Sequence, residues 1–401
     1  MDVELILDSK FQMTDNGRIC TIRDLYTTFN QEVDIDALKA SGFFPAMQKM
    51  MEPVLGVPDE RSPEVMAYWA KRGMVKEFHG YDVPMDWDEY EKKTGYRWAA
   101  EKYDLKQNEH KIWTSFVPVS AFNPENAGQK YPVVFALHGA ENNIFLVEGW
   151  GFVQEAAKRE WIVIIPSLEL DDILEEILNE AKTLYPVDDS RVYAAGFSYG
   201  GWASNRLGNQ RPDIFAAVGP CGAGIDNAYH EGSSDDREPI PPFDGVPRAL
   251  KLNTYMPIIN IAGNLDGKRF PIYDFKGRKF GLGYMETPED WVNCINSWAK
   301  VNNAPELDIN QIMALKGRND IPEADRDIGL PLTPDCRETF VADGVTYHAA
   351  DIKSRDGISR TRLVCAMNIP HWPTPEMARL LYDFFSRFSR DPITKESIVQ
   401  T

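Results

Sequence analysis

From Tyr131 to Gly263, short apolar runs alternate with stretches of helical periodicity, and this alternation restricts the fold more than any other property of the chain. "YPVVFALHG" (131–139), "IVIIP" (162–166), "RVYAAGFS" (191–198), "AAVGPCG" (216–222) and "MPIINIAG" (256–263) read as strands. Between the first four lie "GWGFVQEAAKREW", "DDILEEILNEAKTLYP" and "GGWASNRLGNQRP", which read as helices. A half-exposed strand alternates apolar with polar residues, whereas a run that is apolar throughout is buried on both faces. The order β-α-β-α-β-α-β therefore predicts an α/β fold, a mainly parallel sheet covered by helices on both faces.

The flanks read differently. Met377, Leu380, Leu381, Phe384, Phe385 and Phe388 recur at the spacing of an amphipathic helix, so a C-terminal helix is expected to pack on the sheet. "RWAAEKYDL" and "KIWTSFVPV" around "KQNEH" predict a hairpin leading into the sheet, and "GVTYHAADIKS" and "SRTRLVCAMN" around "RDGI" predict another. Residues 1–95 read as an accessory helical segment before a main domain at 96–401. Within it "SGFFPAMQKMMEPVLG" is rich in Met and Phe, and "SPEVMAYWAKRGMV" opens with Ser62 as N-cap and Pro63 at the first helical position. Its expected role is extra core on the main domain; a cap over the site or a surface for homo-oligomers are the alternatives. Ala304 to Asp343 is rich in Pro, Asp and Gly with poor periodicity, which predicts a long loop or lid.

Composition narrows the partners. An apolar content of 43% and a charged content of 26% are those of a globular chain, and no apolar run approaches the roughly 18 residues of a membrane helix. Membrane insertion is not expected. A net charge of −18 argues against nucleic acid, because gripping a phosphate backbone takes Lys and Arg. "MDVELILDSKFQ" lacks a cationic start followed by an apolar stretch, so the cytoplasm is the expected compartment, with secretion the alternative if a leader has been removed. Cys20, Cys221, Cys294, Cys336 and Cys365 are scattered and form no CxxC pair, which predicts reduced thiols and no zinc site. "GAGID" (222–226) lacks the G-x-G-x-x-G pattern of a dinucleotide site, so no cofactor or metal is expected.

The chemistry points to Ser198, in "VYAAGFSYGGWA". A G-x-S-x-G arises by chance in roughly one chain in ten of this length, so the pattern needs its context. Here the serine follows an apolar strand and precedes a helix, the placement of a nucleophile elbow, and Gly196 and Gly200 leave room for the sharp turn. A serine hydroxyl needs a base, normally a histidine oriented by a carboxylate. Of the histidines, His79, His110 and His138 precede Ser198; His230 lies in a polar loop too early in the order, and His348 sits inside a strand pattern. His371, in "MNIPHWPTPEM" between the last apolar strand and the C-terminal helix, is the candidate base. Asp266, three residues beyond Gly263, is the candidate acid, because no other carboxylate between Ser198 and His371 so directly follows an apolar strand. The order Ser198, Asp266, His371 is the order of α/β-hydrolase triads.

An oxyanion needs two N–H donors. The elbow supplies that of Tyr199, and "ALHGAENN" after the first apolar strand supplies that of Ala140 or Gly139, which leaves His138 structural. Glu141, Asn142, Trp202 and Trp372 are candidate substrate contacts, and Trp150 and Tyr199 are further aromatics near the site by sequence.

With these residues placed, the chain from about residue 96 to 390 resembles the α/β-hydrolase esterases grouped with polyhydroxybutyrate depolymerases and feruloyl or acetyl-xylan esterases. The resemblance runs through "YPVVFALHG", "DDILEEILNEAKTLYPVDDSRVYAAGFSYGG", "MPIINIAGNLD" and "HWPTPEMARLLYDFFSRF". It implies a cofactor-independent serine hydrolase with Ser198 as nucleophile, Asp266 as acid and His371 as base, acting on feruloyl, acetyl or hydroxyalkanoate esters. Two features depart from the group: Pro370 and Trp372 flank His371 directly where the group has Gly-His-x-Trp-Pro, and the acid and base stand farther apart. A serine peptidase or amidase on the same fold and a non-catalytic binding protein are the alternatives.

Overall fold

The structure is a computed structural model, and it describes residues 3–8, 10–13, 19–30, 33–40, 43–45, 47, 91–92, 95–104, 110–139, 147, 150–166, 171–223, 247–266, 288–314, 320 and 336–400. Near the N-terminus, strands β1 (Lys10–Met13) and β2 (Ile19–Thr21) pair antiparallel between the short helices α1 (Val3–Leu7) and α2 (Ile22–Phe29), and α3 (Ile35–Lys39) follows. The segment expected to be helical thus contains a hairpin as well. Four- and three-residue strands are too short to show a period. "SPEVMAYWAKRGMV" lies outside the described residues, and "SGFFPAMQKMMEPVLG" is described at 43–45 and 47, all helical.

The ten-stranded main sheet is built from β3 (Tyr96–Asp104), β4 (His110–Pro118), β5 (Tyr131–Leu137), β6 (Ile162–Pro166), β7 (Val187–Phe197), β8 (Ala217–Cys221), β9 (Ile258–Gly263), β10 (Arg337–Ala342), β11 (Val345–Lys353) and β12 (Ser359–Ala366). Across the sheet the order is β10-β11-β12-β9-β8-β7-β5-β6-β4-β3. Every pairing from β12 to β6 is parallel, and both edges are finished by antiparallel strands, β4 and β3 on one side and β11 and β10 on the other. Both expected hairpins are present as β3–β4 and β11–β12.

The apolar runs fill the centre of this sheet for the reason their sequences imply. In β5, Val134 and Ala136 pack into the core on one face, while Tyr131, Val133, Phe135 and Leu137 pack into the core on the other. The first face is covered by α4 (Phe152–Arg159) and the second by α5 (Asp171–Leu184) and α6 (Tyr199–Gln210). After the short helix α7 (Arg248–Lys251) and β9, the helix α8 (Pro288–Val301) joins the second layer. This three-layer arrangement, with crossover helices on both faces of a mainly parallel sheet, is the α/β-hydrolase fold.

Two expectations are corrected. Residues 304–343 are not simply a long loop: α9 (Ile309–Met313) is capped by Asp308, and β10 extends the sheet. As an edge strand, β10 buries little of itself and keeps polar residues along its length, so the apolar run that marks central strands is missing. At the C-terminus, α10 (Met377–Phe385) ends before Phe388, which opens β13 (Phe388–Arg390), paired antiparallel with β14 (Ser397–Val399). All six residues of the apolar stripe are buried even so, Phe388 from a strand. Among the described residues no helix is long and apolar enough to cross a membrane.

Candidate active site

Parallel strands carry their loops to one edge of a sheet, and side chains that follow the carboxyl ends of such strands converge there. Ser198 follows β7, Asp266 follows β9, and His371 lies in the loop after β12. The three meet. His371 Nε2 is 2.9 Å from Ser198 Oγ, and His371 Nδ1 is 2.9 Å from Asp266 Oδ2. Ser198 is 9% exposed, His371 2% and Asp266 1%, so the chain of hydrogen bonds runs inward from the edge of solvent into the protein. Low local polarity strengthens both bonds.

Ser198 has φ 57° and ψ −113°, a backbone conformation that costs about 1–3 kcal/mol for a residue with a side chain and persists only where the surroundings enforce it. The enforcement is visible on both sides. The Ser198 N–H donates to Cys221 O at 2.8 Å, tying the turn to the end of β8, and its carbonyl accepts from Trp202 N–H at 2.9 Å as the first turn of α6. A Cβ at Gly196 would lie 2.4 Å from Leu137 O, and one at Gly200 would lie 2.3 Å from the same atom. These two positions are glycine because the end of β5 passes directly against the elbow. The same approach brings Gly139, two residues beyond Leu137, to the elbow's side of the sheet.

Tyr199 opens α6, so its N–H stands at a helix N-terminus, where developing negative charge is favoured. Gly139 is buried, and its carbonyl pairs with the Nδ1 of His138 at 2.8 Å. Ala140, Glu141 and Asn142 lie outside the described residues, as does His230. Trp202 is partly exposed; its ring lies 5.6 Å from that of Tyr199 and under the Arg206 guanidinium. Trp372 and Trp150 are buried in the core, Trp150 with its ring edge-on to Phe197. His348 sits in β11 with Nδ1 3.0 Å from Thr339 Oγ1.

Several residues of this site carry no mark in the local sequence. Phe197 lies 4.7 Å from the His371 imidazole, ring centroid to ring centroid, with the two planes tilted by 35°. The loops bearing Asp266 and His371 are laced together: Leu265 N–H donates to Ile369 O, Asn264 N–H to Ala366 O, and Asn368 N–H to Asn264 Oδ1. Asn30, from the N-terminal segment, bonds to the backbone of His371. The one signal that sequence offers for the lacing is Gly263 itself, a glycine at the end of an apolar strand.

No family model matches the chain. Over 138 residues it is 25% identical to a bifunctional acetylxylan esterase/xylanase of Neocallimastix patriciarum, a match covering 31% of this chain and 20% of that protein. The chain therefore spans about one fifth of the length of that relative. Among solved structures, an acetyl xylan esterase from Aspergillus awamori is 13% identical, with 72% of this chain and 99% of that chain covered and a TM-score of 0.42. A feruloyl esterase module from Clostridium thermocellum is also 13% identical, with 73% and 87% covered and a TM-score of 0.37.

Proposed function

We propose that this chain, an α/β-hydrolase-fold protein similar to acetylxylan and feruloyl esterases, is a serine esterase that cleaves carboxylic esters through an acyl-enzyme. The reading rests on one observation, the continuous hydrogen-bonded chain from Asp266 through His371 to a strained Ser198. In this reading Ser198 Oγ attacks the ester carbonyl while His371 Nε2 takes its proton, and Asp266 holds the imidazole in the tautomer with Nδ1 protonated. The tetrahedral oxyanion rests on the Tyr199 N–H and on an N–H of the Gly139–Ala140 loop. His371 then returns the proton to the leaving alcohol, and a water repeats the sequence in reverse to free the acid and regenerate Ser198. No bound cofactor takes part in these steps.

The proposed substrates are acetyl, feruloyl or hydroxyalkanoate esters. The acetyl class has the added support of the 25% identity to the bifunctional acetylxylan esterase/xylanase. The partly exposed ring of Trp202 fits an aryl or apolar acyl group. Initial rates on acetylated xylan, methyl ferulate and a hydroxybutyrate oligomer, each beside a matched anilide, test the substrate class. The reading expects ester turnover to exceed anilide turnover by at least about a hundredfold, and it expects Ser198→Ala to lower the ester rate by about 10⁴-fold or more. Full activity in Ser198→Ala would end it.

A further inference from the structure

The loop that presents His371 is tight. Trp372 N–H donates to Pro370 O at 2.7 Å, an i to i+2 closure of the γ-turn kind with His371 at its apex. The peptide N–H of His371 finds its acceptor elsewhere, in Asn30 Oδ1 at 2.7 Å. Asn30 Nδ2 also approaches the His371 carbonyl, at 3.4 Å. The two residues are 341 positions apart in sequence, and Asn30 is 4% exposed.

The backbone of Asn30 is used for its own segment: its N–H closes α2 on Tyr26 O, and its carbonyl accepts from Val33 N–H. Among the described residues, both hydrogen bonds of its side chain go to His371. A buried peptide N–H that loses its acceptor costs about 1–3 kcal/mol, enough to shift a short loop. The imidazole has little tolerance for such a shift, because Nδ1 and Nε2 must meet Asp266 and Ser198 at the same time, each at 2.9 Å. The lacing of Leu265, Asn264 and Asn368 fixes the chain before His371; Asn30 fixes His371 itself.

We propose that Asn30 is a positioning residue for the catalytic base, holding the main chain of His371 so that its ring spans Asp266 and Ser198. The N-terminal segment is on this view part of the active-site frame. The proposal deepens the esterase reading and rests on His371 being its base.

The test compares Asn30→Leu, close in size but with no acceptor, with Asn30→Asp, which keeps an oxygen at the Oδ1 position, both in the full chain and checked for folding by circular dichroism. Two readouts are taken: kcat and KM on p-nitrophenyl acetate, and the strongly deshielded proton NMR resonance of the His371 Nδ1–H shared with Asp266. Asn30→Leu is expected to lose kcat by about tenfold to a hundredfold with KM little changed, and to lose or broaden the resonance. Asn30→Asp is expected to keep the resonance and stay within about fivefold of the wild-type kcat. If Asn30→Leu does not fold, Asn30→Ala takes its place in the same comparison. Wild-type kcat and resonance in the Leu or Ala variant would overturn the proposal, as would equal damage from Leu and Asp, which would mean that packing alone matters. If the wild-type chain turned over no ester, the esterase reading would fail, and the resonance alone would still decide whether Asn30 positions His371.

Discussion

Gly263 has no room for a side chain, because a Cβ there would lie 1.8 Å from Ile369 O. That contact is where the strand leading to Asp266 meets the loop leading to His371, so a single methyl group is expected to pry these two residues apart. Gly263→Ala should lower kcat/KM by about tenfold to a hundredfold and should also lower the melting temperature; wild-type kinetics would show that the two loops separate freely. Asp266→Asn should keep the fold yet lower kcat by about 10³–10⁴-fold near neutral pH, because the amide favours the wrong imidazole tautomer. A variant within about tenfold of wild type would move the acid to another carboxylate. At this scale Ser198 is legible from glycine spacing and the strand before it, Asp266 from its place after a strand, and His371 by elimination among few histidines. Asn30 and Phe197 are not legible, since their roles depend on contacts that leave no trace in the residues beside them.

Elements differ in how openly the sequence displays them. Central strands are solvated on neither face and write themselves as apolar runs; β10, at an edge, and the short β1, β2, β13 and β14 have no such pattern. Helix α8 also passes without assignment, because it lies beyond the regular alternation that ends at β9. The lead-in to β7, "VDDSRVY", shows local chemistry serving an element. Asp188 Oδ1 accepts from the Ser190 N–H at 2.9 Å and from its hydroxyl at 2.6 Å, and Asp188 Oδ2 pairs with Arg191 Nε at 2.6 Å. Burial works against the charge on Asp188, but the bonds from Ser190 and Arg191 outweigh it and hold its carboxyl below the usual value of 3.8. A carboxyl depressed in the folded state stabilises the protein above its unfolded pKa and stops doing so as the pH falls through the folded one. Asp188→Asn should therefore cost about 1–2 kcal/mol at pH 7, and the gap should begin to narrow only below about pH 4 and close as the pH falls through the lower folded value. Chemical denaturation of both proteins across that range measures it; a gap independent of pH would contradict the assignment.

At the scale of the whole molecule, the N-terminal segment and the sheet share one core. Leu7, Tyr26, Leu38, Phe43, Phe44 and Met47 are buried in the same apolar layer as Tyr347, Ile369, Trp372 and Phe385. Sequence composition suggests extra core in this segment but cannot say where it docks, because docking partners hundreds of residues apart follow no period. Phe44→Ala should destabilise the protein by about 3–4 kcal/mol and should shift a single unfolding transition seen alike by far-UV and near-UV circular dichroism. Two separate transitions would make the segment an independent unit. The shared core and the Asn30 contact hold the loop of His371 beside Ser198, and the proposed nucleophile stands or falls on the reactivity of that serine. Reaction of the folded full chain with a fluorophosphonate, followed by peptide mass spectrometry, measures it directly. Stoichiometric modification of Ser198 in the wild type, abolished in Ser198→Ala and slowed by about a thousandfold or more in His371→Ala, is the predicted result. A folded wild-type chain left unmodified at Ser198 would contradict it.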